Sequence, residues 1–205
     1  RIILLVNLAV FVMGGFVPKN WPVSAREAPK YFCMFPKIIW NLPLQSYRIF
    51  TSAFVHANLM HIGFNMVAFV QHGGDLEKQI GTLRFFQLNF LLVLVLGVLY
   101  LGIADVCFFA GYEVFFKQCA VGFSGVLFAL ISIECFGQPA DRAVTVFGQR
   151  IPVRWYPVAM LVFTQLIMPN VSFIGHLVGV LGGILYMKGY LNMLCLSERT
   201  ATRLE

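Results

Sequence analysis

The chain has 205 residues, of which 59% are hydrophobic and only 12% charged, with a mean hydropathy of +0.79. Soluble domains carry about 25% charged residues, so this composition excludes an ordinary water-soluble domain and describes a polytopic membrane protein. The net charge of +6 reads as membrane topology and headgroup contact; nucleic-acid binding is excluded, because no basic patch is interleaved with a soluble fold.

Six apolar segments occur at about 2–18, 51–71, 84–104, 120–136, 155–169 and 171–191. A helix needs roughly 17–25 residues to cross a hydrocarbon core of about 30 Å. Backbone polar groups cannot stay unpaired in lipid, so the segments are expected to be helices; a barrel would need alternating strands, and no alternation is visible. The expected fold is an all-α bundle of six transmembrane helices forming one domain over 1–205, with an interfacial loop over about 19–50. The chain opens on Arg1 rather than methionine and so reads as a piece of a longer protein, with Leu204-Glu205 a remnant of cloning.

Loop cations set the orientation. With the amino terminus inside, the cytosolic side holds Arg1, Lys78, Arg84, Arg142, Arg150, Arg154, Lys188, Arg199 and Arg203. The outer side holds Lys19, Arg26, Lys30, Lys37, Arg48 and Lys117, all but the last in one long loop. Both termini are therefore expected in the cytosol. That long loop combines Pro18, Pro22, Pro29, Pro36 and Pro43 with Trp21, Tyr31, Phe32, Phe35, Trp40 and Tyr47. Prolines forbid a regular span and aromatic-basic mixtures suit the headgroup boundary, which predicts short helices lying in the outer interface.

The second segment carries His56, His61 and Asn65. At about 100° per residue, His61 and Asn65 share a helical face, whereas His56 would point about 140° from His61. This is a poor metal pair and not the spacing of a zinc protease helix. The reading calls for no metal and no cofactor. His61 and Asn65 instead offer hydrogen-bond donors to the bundle interior, where polar groups are costly and tend to be functional; the bland reading is interhelical glue. The loop at about 105–119, with Phe108, Phe109, Phe115 and Phe116, is expected to dip or cap above the site.

The fourth segment opens with Gly122-Phe-Ser-Gly125 and the sixth with His176, followed by Gly179 and Gly183. Gly175, Gly179 and Gly183 form a small-xxx-small pattern that lets backbones touch. The second, fourth and sixth helices run in the same direction, which puts His61, Asn65, Ser124 and His176 in one leaflet. A serine needs a base to become a nucleophile, and His176 is the available one. No carboxylate accompanies it: Glu134 is ten residues below Ser124, and Asp105 and Glu113 fall in a loop. The residues thus point to a Ser124–His176 dyad performing acyl transfer, with Phe128 as an aromatic floor for the imidazole. Ser124 at a helix start, with His61 and Asn65, would stabilise the oxyanion.

Of the cysteines, Cys135 and Cys195 read as apolar fillers, while Cys33, Cys107 and Cys119 face the outer side, where a disulfide is open to them. Asn170-Val171-Ser172 has the form of a glycosylation sequon, but in a turn too tight against the membrane.

Taken together, Gly122-Phe-Ser-Gly125, His176 with Gly179, the His56, His61 and Asn65 pattern, and Gly73-Gly-Asp-Leu-Glu77 followed by Gly81 resemble the rhomboid family of intramembrane serine proteases, along nearly the whole chain. The resemblance implies a six-helix core, a Ser124 and His176 dyad, an oxyanion site at His61 and Asn65 with His56 in support, and structural roles for Glu77 and Arg48. The implied substrates are transmembrane segments of single-pass proteins, cut near the outer leaflet of the lipid bilayer. Many rhomboids have Trp-Arg where this chain has Tyr47-Arg48, and tyrosine where it has Phe128. The wording around Ser124 is most similar to the eukaryotic secretory-pathway branch, which implies the endoplasmic reticulum. The alternatives are a non-proteolytic client-binding scaffold, which should have lost the serine or the histidine, and a transporter, which should show internal repeats.

Overall fold

The computed structural model describes residues 1–16, 28–146, 148–195 and 200. Pro18, Lys19, Trp21, Pro22 and Arg26 of the expected interfacial loop lie outside the described residues, as do Arg199 and Arg203. After α1 (Ile2–Phe16) the description resumes with α2 (Ala28–Phe32) and α3 (Pro36–Asn41), then a 3-10 turn at Pro43–Tyr47, α4 (Arg48–Thr51) and a second 3-10 turn at Ser52–Phe54. Pro36 and Pro43 each open their element, where a missing N–H costs nothing. The predicted short helices are present. Arg48 holds them: it is 4% exposed and donates to Gln45 Oε1 (2.9 Å) and to the carbonyls of Lys30 (3.1 Å) and Cys33 (3.2 Å). A buried cation with three acceptors is a structural pin.

The second segment corrects the expected boundary. Residues 51–58 are not part of the long helix, because the chain bends by 73° between the Pro43–Phe54 and Leu59–Ile80 stretches. Asn58, in an extended conformation, is the N-cap, and its side chain accepts from the His61 N–H. α5 (Leu59–Ala68) then runs through a π turn (Phe69–Gly73) into α6 (Gly74–Ile80), and Gly81, at φ 86°, turns the chain back. α7 (Thr82–Phe109) is longer than expected and absorbs the first part of the predicted 105–119 loop. α8 (Glu113–Phe116) follows.

α9 spans Ser124–Phe136 and starts four residues later than the predicted 120, because Ala120 is in a bridge and Gly122 has φ 114°. The sequence reading missed a hairpin of β1 (Ala143–Val146) and β2 (Gln149–Pro152), antiparallel with Val144 opposite Ile151. α10 (Tyr156–Ile167) ends ahead of Pro169, and α11 (Phe173–Met187) begins at the Ser172 cap. Among the described helices only α7 is by itself long and apolar enough to cross a membrane. α9 and α11, at 13 and 15 residues, are shorter than the expected spans: α9 starts at Ser124 rather than at 120, and α11 starts at Phe173 and ends at Met187 rather than running over 171–191.

Directions follow from contacts at both ends. Ser172, heading α11, hydrogen-bonds Tyr100 late in α7, while Gln87, early in α7, donates to the Leu194 carbonyl beyond α11. α7 is therefore antiparallel to α11. His72, beyond the end of α5, pairs with Glu134 near the end of α9, so these two run in parallel as expected. The main apolar cluster among the described residues is built on Leu88, Leu92, Leu96 and Tyr100 of α7, Ile62 and Met66 of α5, Leu127 and Leu130 of α9, and Ile174 and Val178 of α11.

The tightest packing joins α9 to α11. A Cβ placed on Gly179 would collide with the Gly125 carbonyl and sit 2.7 Å from Phe128 Cβ; on Gly183 it would sit 2.5 Å from the Ala129 carbonyl oxygen and 2.6 Å from Ser132 Cβ. The small-xxx-small pattern does bring backbone to backbone. A second constraint lies at the opposite wall. Cys33 and Cys119, 86 residues apart, form a disulfide, and Met34 and Ala120 next to them exchange backbone hydrogen bonds of 2.8 and 2.9 Å. Of the three outer cysteines it is Cys107 that stays free.

Gly179→Val is expected to destabilise the protein by about 1–3 kcal/mol or more through overpacking. Gly63→Ala, at a position with open space, should be neutral or slightly stabilising. Thermal unfolding of both variants in detergent checks the contrast. Reduction, or Cys119→Ser, is expected to cost up to about 4 kcal/mol by releasing a long loop, read as a fall in unfolding temperature that Cys107→Ser does not reproduce.

Candidate active site

Ser124 is the first residue of α9 and His176 lies in the first turn of α11. The close approach of the two helices brings Ser124 Oγ within 2.9 Å of His176 Nε2. The hydroxyl donating to Nε2 leaves the ring's own proton on Nδ1, which is buried and has no hydrogen-bond partner among the described residues. Among the described residues no carboxylate hydrogen-bonds this imidazole. It is held instead by packing: the Phe128 ring stacks on it at 4.5 Å with 28° between planes, and His176 is 3% exposed. The aromatic floor expected at Phe128 is therefore present.

The chain just before Ser124 is forced into its shape. Gly122 has φ 114°, a conformation side chains avoid, and its N–H donates to the Ser52 carbonyl at 2.9 Å. Glycine is also needed for space, since a Cβ there would lie 2.6 Å from His61 Nε2 and 3.5 Å from Asn65 Nδ2. Both side chains thus converge beside Ser124. The Ala57 N–H approaches His61 Nδ1 at 3.4 Å, which makes Nδ1 the acceptor and Nε2 the donor facing the site. Asn65 Nδ2 is buried without a partner among the described residues. Two donors next to a nucleophile, with the N-terminal N–H groups of α9, are the arrangement that stabilises an oxyanion.

His56 corrects the helical-wheel argument. It precedes α5, so the angle of about 140° does not apply. Its ring lies edge-on to His61 with centroids 5.1 Å apart, and its Nε2 accepts from the Phe123 N–H at 3.4 Å. His56 therefore props the segment leading into Ser124. Gly125 permits close contact at the other side, where a Cβ would be 3.0 Å from the Gly175 carbonyl oxygen.

Ser124, His176, His61, Gly122 and Gly125 line a cavity of about 210 Å³, whose further walls include Gln118, Val121, Asn170 and Ser172. Of the 105–119 loop expected to dip or cap above the site, Gln118 and Cys119 line the cavity and its phenylalanines do not. Phe108 and Phe116 stack on each other at 4.5 Å, Phe109 and Phe116 meet Trp40 edge-on, and residues 118–121 line the cavity. The reason is that α7 extends to Phe109 and the disulfide draws 119 toward Cys33. Sequence reasoning missed Tyr100 and Gln118, whose polar groups meet Ser172 Oγ at 3.3 and 3.5 Å. A tyrosine inside the apolar run of α7 was the available signal. Ser172 of the sequon is occupied in that network and as the cap of α11.

At the far end of the bundle, the carboxylate of Glu77 makes no hydrogen bond among the described residues; only its backbone carbonyl is engaged, by the Gly81 N–H. The polar contact there is His72 Nδ1 to Glu134 Oε2 at 2.8 Å, which the sequence did not reveal. Among the described residues no three His, Cys, Asp or Glu side chains gather as metal ligands.

Comparison with known proteins fits this geometry. The Rhomboid domain family matches residues 43–193. The chain is 38% identical over 180 residues to Rhomboid-like protein 15 of Arabidopsis thaliana, covering 84% of this chain and 43% of that protein. It is 36% identical over 143 residues to human Rhomboid-related protein 4, covering 69% and 45%. With Rhomboid-type serine protease 2 of Neurospora crassa it shares 30% over 181 residues, covering 87% and 61%. The chain spans less than half the length of the first two relatives. With a family match that takes in Ser124, His176, His61 and Asn65, the protein belongs to the rhomboid family of membrane proteins.

Proposed function

We propose that the protein is an intramembrane serine endopeptidase that cleaves transmembrane segments of single-pass membrane proteins near the outer leaflet. The single observation that carries the reading is the 2.9 Å contact between Ser124 Oγ and His176 Nε2 on two glycine-packed helices. In the reaction His176 Nε2 takes the hydroxyl proton as Ser124 Oγ attacks the scissile carbonyl. The charge that develops on the carbonyl oxygen is met by His61 Nε2–H, Asn65 Nδ2–H and the backbone N–H groups at the start of α9. The imidazolium gives its proton to the leaving amine, and water, activated by the same histidine, releases the acyl group. Phe128, stacked on the ring, keeps the imidazole in place through both proton transfers.

In this reading the whole chain acts as one domain of six crossings, α1, α5 with α6, α7, α9, α10 and α11, with both termini cytosolic. The cavity lined by Ser124 and His176 supports a water-filled depression at the dyad. The Cys33–Cys119 disulfide lies at the Ser124 end of the bundle, which supports an oxidising compartment on that side, in keeping with the endoplasmic reticulum or another secretory-pathway membrane.

Ser124→Ala and His176→Ala are each expected to lower cleavage of a single-pass transmembrane substrate by at least about 10³-fold. A fluorophosphonate should label the native protein and not Ser124→Ala. Cleavage surviving the serine substitution, or no labelling of folded protein, would replace the reading with a client-binding scaffold. Asn65→Ala should cost about 10²–10³-fold in kcat with little change in KM, measured on the same substrate.

A further inference from the structure

Beside α3, the end of α7 and α8 lies a basin of about 430 Å³ that plays no part in the dyad. Its apolar wall is aromatic. Trp40 meets Phe109 and Phe116 edge-on at 6.5 and 6.3 Å, and Phe108 stacks on Phe116. Trp40 is 59% and Phe109 75% exposed, which is costly in water but usual where a membrane meets its headgroups.

The charged wall is mixed in sign. Asp105 sits near the carboxyl end of α7, where the helix dipole is already negative, so it does not serve the helix. It has no ion pair and no hydrogen bond among the described residues. Lys37 of α3 likewise has neither. Lys117 donates to Glu113, and this bond, with Lys37 farther off, holds the Glu113 carboxyl below its usual pKa.

The aromatic wall suits a cation that brings no hydrogen-bond donors of its own, a quaternary ammonium, and the unpaired Asp105 carboxylate adds an opposite charge. Lys37 and Lys117 on the same rim suit a phosphate. We propose that this basin binds the phosphocholine headgroup of a phosphatidylcholine of the surrounding bilayer, with trimethylammonium against Trp40, Phe109 and Asp105 and phosphate toward Lys37 and Lys117. The antiparallel run of α7 puts the basin at the Ser124 end of the bundle. The inference rests on the membrane nature of the protein and not on its being a protease.

The test is native mass spectrometry of protein taken from nanodiscs containing equal phosphatidylcholine, phosphatidylethanolamine and phosphatidylglycerol. The expected result is about fivefold preferential retention of phosphatidylcholine. Trp40→Ala and the near-isosteric Asp105→Asn should each bring that ratio to about one while leaving fluorophosphonate labelling and unfolding temperature unchanged. Phe109→Leu, which keeps the apolar volume, should reduce it in part. Equal retention of the three lipids would overturn the proposal. So would phosphatidylethanolamine held as tightly as phosphatidylcholine, which marks a simple ammonium–carboxylate pair, or a preference that survives both Trp40→Ala and Asp105→Asn.

Discussion

The backbone contact between α9 and α11 is the constraint on which the rest depends. Ser124 and His176 are 52 residues apart, and their side chains are short relative to an ordinary interhelical distance of 8–10 Å. They reach 2.9 Å because Gly125, Gly179 and Gly183 lack the side chains that would hold the helices apart. In lipid, where burying apolar surface between helices gains little, such close packing is itself the main source of association. The same glycines therefore stabilise the bundle and assemble the site.

A second constraint acts on the approach to Ser124. The segment 119–123 is not helical, and each of its residues but one is tied down. Cys119 is bonded to Cys33, Ala120 is bridged to Met34, Gly122 donates to Ser52, and Phe123 donates to His56. Arg48, buried among the carbonyls of Lys30 and Cys33, fixes the other partner of this seam. The first loop is thus a wall of the site, joined to it covalently, and its fold is linked to the position of the nucleophile.

His176 lacks an acid on Nδ1, and its orientation comes from stacking on Phe128 and from burial. An aromatic face positions this ring without adding a buried charge whose desolvation would be costly. Asn65 Nδ2, without a hydrogen-bond partner among the described residues, and His61 Nε2 suit the charge that the proposed reaction would develop beside Ser124.

By itself the sequence determined the solvent, the helical class, the identity of Ser124 and His176 as partners, and the glycine stripe that joins them, because composition and short spacings on one helix carry that information. It also placed His61 and Asn65 on one face, since both lie on the regular part of α5. Only the tertiary structure decided that His56 stands outside the helix and under Phe123, because a helical wheel says nothing about residues ahead of an N-cap. The choice of Cys119 over Cys107 as the partner of Cys33, the pairing of His72 with Glu134 and the meeting of Tyr100 with Ser172 were decided there too. Each joins elements far apart in the chain, and contacts of that kind depend on how helices are packed and where they stop, which no local pattern records.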